Sequence, residues 1–157
     1  MKENILHISY KQYRLDEPLP DGLSEVIEAA RDARNTSYSP YSGFRVGVAA
    51  RLESGSIITA SNQESSSFPA SICAEHNLLT HHNTHMPHDP IVMLAVISSD
   101  GENECCPCGV CRQVLADTET RQKREIKIAM CSETTATVVN GASALLPFTF
   151  KFNPTEE

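Results

Sequence analysis

Two short segments of this chain carry side chains whose types and spacing suit metal-assisted acid–base chemistry. Pro107-Cys108-Gly109-Val110-Cys111 is a C-x-x-C run whose second half opens an expected helix. That spacing lets two thiolates meet one metal, while the helix N-terminus stabilises their negative charge. Alone the run is ambiguous, because redox dithiols share it. A third candidate ligand lies well upstream, in Cys73-Ala74-Glu75, at the start of another expected helix. Three protein ligands leave a zinc ion one position for water, which is the catalytic arrangement rather than the closed structural one. Glu75 follows Cys73 at i+2. A carboxylate held near such a water without ligating the metal can take a proton from it and return that proton to a substrate. The plainer alternative is a structural C-x-x-C knot with an unrelated Cys73.

The rest of the chain must supply elements that bring these segments together. At 157 residues and 40% hydrophobic content it is long enough for one domain with a buried core. We divide it into an N-terminal extension, 1–20, and a catalytic domain, 21–157. Leu6, Ile8 and Tyr10 alternate in the extension, which reads as a short strand or a docking arm. Asp21 is placed to cap a helix carrying Leu23, Val26, Ile27, Ala30 and Ala33 at helical spacing. Phe44, Val46, Val48, Ala50 and Leu52 alternate as a strand, and Ser54-Gly55 turns into a second strand over 56–60. Residues 72–82 and 109–118 read as helices. The apolar run 91–97 reads as a strand covered on both faces, with further strands over 126–130 and 135–139. Helices alternating with strands predict an α/β fold with a mixed sheet between helices.

Composition narrows the substrate. The formal charge is −7, from 13 Lys+Arg against 20 Asp+Glu. So acidic a chain is badly suited to polyanions, whose binding depends on neutralising phosphates, and a free small molecule is the better expectation. The first ten residues lack a signal-peptide pattern, and no apolar run reaches membrane-spanning length. Six cysteines without a secretory signal point to thiols kept reduced in a cytoplasmic setting, not to a disulfide framework.

Nucleobase deaminases that use zinc carry H-x-E and P-C-x-x-C, and here Cys73 stands in the place of the histidine. Four stretches together make the chain resemble the cytidine deaminase family in its short, three-cysteine form. They are Tyr38-Ser39-Pro40-Tyr41-Ser42-Gly43-Phe44-Arg45-Val46-Gly47; Asn62-Gln63-Glu64 with Phe68-Pro69 and Ile72-Cys73-Ala74-Glu75; Pro107 to Gln113; and Leu145-Leu146-Pro147 with Phe150. The resemblance spans about residues 25–150. It implies a three-layer α/β/α fold with a mixed five-stranded sheet, and hydrolytic conversion of cytidine or deoxycytidine to the uridine form plus ammonia, in pyrimidine salvage. It also implies one zinc ion per subunit held by Cys73, Cys108 and Cys111, with Glu75 as the proton shuttle. Asn62 and Glu64 would bond the ribose 3′-hydroxyl, and Phe44 would pack on the base. The Ala74 N–H would meet the base carbonyl, and the Cys106 carbonyl would face the departing amino group. The protein would be a homotetramer in which Phe150 reaches a neighbour's site.

Some positions depart from that pattern. His76 and Leu78 stand where relatives of this form commonly have Arg and a small residue, which bears on rate and pH optimum. Gln63, Ser65 and Ser66 also replace residues usual around the ribose-binding stretch. His81, His82, His85 and His88 read as part of a solvated loop, and Cys105 and Cys131 as small packing residues. Two other functions compete: deamination of another aminopyrimidine of the blasticidin S type, against which the Asn62–Glu64 pair argues, and an idle zinc-holding protein, against which Glu75 argues.

Overall fold

Apolar side chains on the central strands point alternately into two separate cores, and that division sets the architecture. A computed structural model describes residues 1–151. In chain order the elements are β1 (Tyr10–Arg14), α1 (Leu23–Ala33), β2 (Val46–Leu52), β3 (Ile57–Ser61), α2 (Ala74–His85), β4 (Ile91–Ser98), α3 (Gly109–Gln122), β5 (Lys127–Cys131) and β6 (Thr135–Asn140). Short 3-10 turns occur at Arg34–Thr36, Phe68–Ala70 and Ala142–Ala144. The strands form one sheet in the order β1-β6-β5-β4-β2-β3. Only β4 and β5 run parallel; the other pairs are antiparallel.

On β4, Ile91, Leu94 and Val96 join one core with Leu78 and Leu79 of α2 and Leu115 of α3. Met93, Ala95 and Ile97 of the same strand join the other core with Leu23, Val26, Ile27 and Ala30 of α1. This explains the uninterrupted apolar run: both faces are dry, so alternation with polar residues is absent. The result is the expected three-layer α/β/α sandwich, α1 on one face and α2 with α3 on the other.

The sheet has six strands where five were expected. The additional strand, β1, comes from the N-terminal extension and pairs with β6 from Tyr10↔Val139 to Arg14↔Thr135. It starts where the alternation of Leu6 and Ile8 ends; those two side chains are exposed. Helix α1 buries the five residues its spacing marked, but Asp21 does not cap it. Gly22 takes the N-cap position in the left-handed region (φ 77°), with no side-chain cap. His81, His82 and His85 lie on α2, not in a loop. His82 is fully buried, and its Nε2 donates to the Asp89 carbonyl at 2.9 Å.

One glycine is dictated by packing. A Cβ on Gly47 of β2 would lie 2.0 Å from the Ala30 carbonyl oxygen and 2.6 Å from the Arg34 nitrogen. The start of β2 therefore touches the end of α1 backbone to backbone. The loop 37–45 is held at its far end by this contact.

Candidate active site

Cys73 and Cys108 occupy equivalent positions: each is the N-cap residue of its helix, Cys73 of α2 and Cys108 of α3. Both have extended backbone, and their carbonyls accept from Asn77 (3.0 Å) and Arg112 (2.9 Å) to start the helices. Their sulfurs thus sit beside two positive helix ends that favour thiolate. Cys111 is in the first turn of α3 and is fully buried. The Cys73 and Cys108 sulfurs are 3.9 Å apart, and those of Cys108 and Cys111 are 3.5 Å apart. All three lie within 4.8 Å of one another.

Three thiolates around a tetrahedral zinc at about 2.3 Å would have sulfurs about 3.8 Å apart, so this donor set fits zinc and its catalytic, open form. The Cys111 and Cys108 thiols hydrogen-bond the Cys73 sulfur and hold its pKa down to about 6, while Cys111 is pushed up.

Two features brace these helix starts. Gln63 pairs with Ile72, the residue before Cys73, through N–H to carbonyl bonds of 3.0 and 2.9 Å. Arg112 donates from Nε to the Pro107 carbonyl (2.8 Å) and from Nη1 to the Leu145 carbonyl (2.9 Å). The Arg112 clamp ties the C-x-x-C turn to the segment after β6.

Glu75, in the first turn of α2, is 4% exposed. Burial, reinforced by the charge of Cys73, pushes its carboxyl up to about 7. Ala74 is the first residue of α2, where a backbone N–H has no acceptor within the helix.

Cys73, Ala74, Glu75 and Cys108 border a cleft of about 280 Å³ together with Phe44, Asn62, Glu64 and Cys106. That volume is at the small end of ligand pockets, which run from about 300 Å³ upward. Cys106 is exposed, and its thiol points to the Glu104 carbonyl at 3.8 Å. Phe44 precedes β2 instead of starting it and is 45% exposed. Phe150 does not border the cleft of its own chain; its carbonyl accepts from Gln113 Nε2 at 3.0 Å, and its ring is largely exposed.

Asn62 and Glu64 hold down the loop that carries Phe44. Asn62 Oδ1 accepts from Ser37 Oγ (2.6 Å) and Val46 N (2.8 Å), and its Nδ2 donates to the Phe44 carbonyl (2.9 Å). Glu64 Oε2 accepts from the backbone of Tyr41 (2.8 Å) and Ser42 (3.3 Å), and Oε1 accepts from Ser42 Oγ. Ser37 and Ser42 were not singled out in the sequence. Nothing in a serine's local context shows which distant carboxylate or amide its hydroxyl will meet.

Among the described residues the three cysteines are the metal-compatible cluster, and the α2 histidines form none. His76 lies close enough to Cys73 for its charge to favour the thiolate, and it borders a separate hollow with Asn83, Asp117 and Arg121. Cys131 is buried and Cys105 packs against the core beside it, its N–H donating to the Cys131 carbonyl at 3.0 Å.

Comparison with known proteins agrees with this geometry. Residues 21–126 match the family model described as the cytidine and deoxycytidylate deaminase zinc-binding region. A cytidine deaminase of Halalkalibacterium halodurans is 38% identical over 92 residues, 59% of this chain and 68% of that protein. The crystal structure of a cytidine deaminase from Burkholderia pseudomallei superposes with a TM-score of 0.70 at 29% identity, covering 82% of this chain and 98% of that one. One from Mycobacterium tuberculosis gives 0.67 at 28% identity, covering 85% and 100%. With its three sulfurs, buried carboxylate and sandwich fold, the chain belongs to the family of cytidine and deoxycytidylate deaminases that bind zinc.

Proposed function

We propose that this protein hydrolyses free cytidine and deoxycytidine to uridine and deoxyuridine, releasing ammonia. The observation that carries the reading is the pairing of an open three-sulfur site with a buried carboxylate on one small cleft. Cys73, Cys108 and Cys111 hold zinc in this reading, and Glu75 ligates nothing. Zinc, when bound, lowers the pKa of water so that hydroxide is available near neutral pH.

The remaining steps belong to the chain's own groups. Glu75 takes a proton from the attacking water and places it on N3 of the base. As the C4–O bond forms, N3 gains this proton; Glu75 then carries the second proton to the leaving amino group, and the C4–N bond breaks. The Ala74 N–H receives the base carbonyl, the Cys106 carbonyl accepts from the amino group, and Phe44 covers the ring.

Hydrogen-bond inventory supports a sugar in the cleft. Asn62 has both acceptor positions filled and one N–H remaining, and Glu64 Oε1 has a lone pair remaining. One donor and one acceptor are what a single hydroxyl needs. A cleft built this way leaves polar groups unpaired when the hydroxyl is missing, which favours a nucleoside over free cytosine. The deaminases that this chain is similar to are named for cytidine, which weighs against an unrelated aminopyrimidine or an idle zinc protein.

The outward Phe150, with exposed Tyr38, Tyr41 and Phe68, supports a homotetramer in which Phe150 completes a neighbour's cleft. Thiolate ligands and a full set of free cysteines support a cytoplasmic, reducing setting; the role in pyrimidine salvage rests on the free-nucleoside chemistry proposed above. No helix among the described residues is long and apolar enough to cross a membrane.

The test follows the loss of aminopyrimidine absorbance with purified, zinc-loaded protein, with Glu75→Gln as its companion. Wild type should turn over cytidine, and Glu75→Gln should retain about one zinc per chain while losing about 10²- to 10⁴-fold in kcat. A zinc-loaded wild type that acts on neither nucleoside overturns the reading.

A further inference from the structure

Ser42 does not border the cleft, yet it joins two of the groups that do. Its Oγ accepts the Phe44 N–H at 3.0 Å and lies in hydrogen-bond contact with Glu64 Oε1. A hydroxyl has one proton. Since the Phe44 N–H already donates to this oxygen, and a carboxylate only accepts, the single hydroxyl proton goes to Glu64. Gly43 makes the arrangement possible: at φ 70° it reverses the chain, with its N–H on the Ser39 carbonyl at 3.0 Å. The N–H and Oγ of Ser42 and the N–H of Phe44 thereby converge. The carboxylate at residue 64 is gripped by three donors from this one turn, which also hold its pKa below the usual carboxylate range.

We propose that Ser42 is a positioning residue for nucleoside binding, its hydroxyl proton aiming the sugar-side carboxylate of Glu64, while Phe44 stays tethered through its carbonyl to Asn62 Nδ2. This rests on the reading of Glu64 as a sugar-binding group. The two main-chain N–H groups anchor Oε2 alone, about which a carboxylate can still swing; the Ser42 hydroxyl is the contact that aims Oε1. Holding a polar group in its bound orientation before the ligand arrives lowers the ordering penalty of binding. Ser42 therefore acts on nucleoside affinity, and only through a substrate hydroxyl that Glu64 meets.

Steady-state kinetics of the zinc-loaded protein with deoxycytidine and 2′,3′-dideoxycytidine test this, with zinc content and Tm recorded for every variant. Wild type should prefer deoxycytidine. Ser42→Ala should raise KM for deoxycytidine about 10-fold, the loss expected for one hydrogen bond to a charged group, with kcat within about twofold. For the dideoxy substrate its KM should move less than about twofold, because there is no 3′-hydroxyl to orient. Ser42→Thr keeps the hydroxyl and should restore the deoxycytidine KM. Ser42→Cys keeps the shape with a weak donor and should show a smaller rise of the same selective kind, so that it carries the test if Ser42→Ala fails to fold. Equal KM rises on both substrates, or none on either, overturn the proposal for Ser42 while leaving Glu64 in place. A wild type that does not discriminate between the two substrates overturns the sugar reading of Glu64 itself, and the proposal with it.

Discussion

Replacing Asn62 with Asp exchanges one NH₂ group for an oxygen and tests how the loop carrying Phe44 is tied to the sheet. The amide accepts from Ser37 and Val46 and donates to the Phe44 carbonyl at 2.9 Å. A carboxylate keeps both acceptances but sets its second oxygen against that carbonyl with no proton between them. The lost bond removes about 1 kcal/mol, and the carboxylate oxygen set against the partly negative carbonyl oxygen adds about 1 more, so the penalty at pH 7 is about 2 kcal/mol. Protonation repairs the contact, because a carboxyl O–H can donate to the carbonyl. At 1.36 kcal/mol per unit, the penalty raises the folded-state pKa of the new carboxyl by about 1.5 units above the unfolded value near 3.9. The folded variant then binds more protons than the unfolded chain between about pH 4 and pH 5.5, so its stability relative to wild type declines as pH rises through that window. Urea unfolding of both proteins at pH 7 and pH 4.5 reads this directly. The deficit should be about 2 kcal/mol at pH 7 and about half that at pH 4.5. KM for cytidine should rise at pH 7, since Phe44 loses its tether. A deficit that does not change with pH, or no deficit at pH 7, would refute the reasoning.

Cys111→Ala removes the buried sulfur of the three and leaves two helix-cap thiols. Zinc retained after dialysis should fall well below one per chain, with affinity reduced by more than about 100-fold and activity lost in parallel, read by metal analysis and competition with a chromogenic chelator. Gly47→Ala drives a methyl group to 2.0 Å from the Ala30 carbonyl oxygen, and neither backbone can rotate away. The strain should reach about 3 kcal/mol, the upper end for overpacking, and lower Tm by about 6–12 °C in a thermal melt. An unchanged Tm would show that α1 and β2 do not meet as closely as described.

The zinc chemistry was legible because it is carried by local patterns. A cysteine at the start of a helix, with a second three residues on or a glutamate two residues on, already has its geometry set by the helix itself. Cys73, Glu75, Cys108 and Cys111 needed only to be brought together. The core was legible for a similar reason: the spacing of Leu23, Val26, Ile27, Ala30 and Ala33 marks the buried face of a helix wherever that helix packs. The expected helix over 72–82 stopped short of His85, and the solvated-loop reading of His81, His82 and His85 failed, because polar residues outnumber apolar ones there. A helix packed by Leu78 and Leu79, with His82 satisfied by the Asp89 carbonyl, overrides that weak local signal. The Asp21 cap failed because glycine at the next position takes up the turn in a left-handed conformation.

From the sequence alone followed the candidate ligands Cys73, Cys108 and Cys111, the candidate proton carrier Glu75, the α/β order and the acidic net charge, each a property of composition or of residues close in the chain. Tertiary structure alone decided that β1 of the extension completes the sheet against β6, that Gly47 is required by the Ala30 backbone, and that Phe150 points away from its own cleft. It alone joined Ser37 to Asn62 and Ser42 to Glu64, across 25 and 22 positions of the chain. The reason is the range of the interactions. Helix and strand periodicity arise between near neighbours, whereas a serine hydroxyl and a distant amide or carboxylate meet only once the sheet has fixed the path of the chain between them.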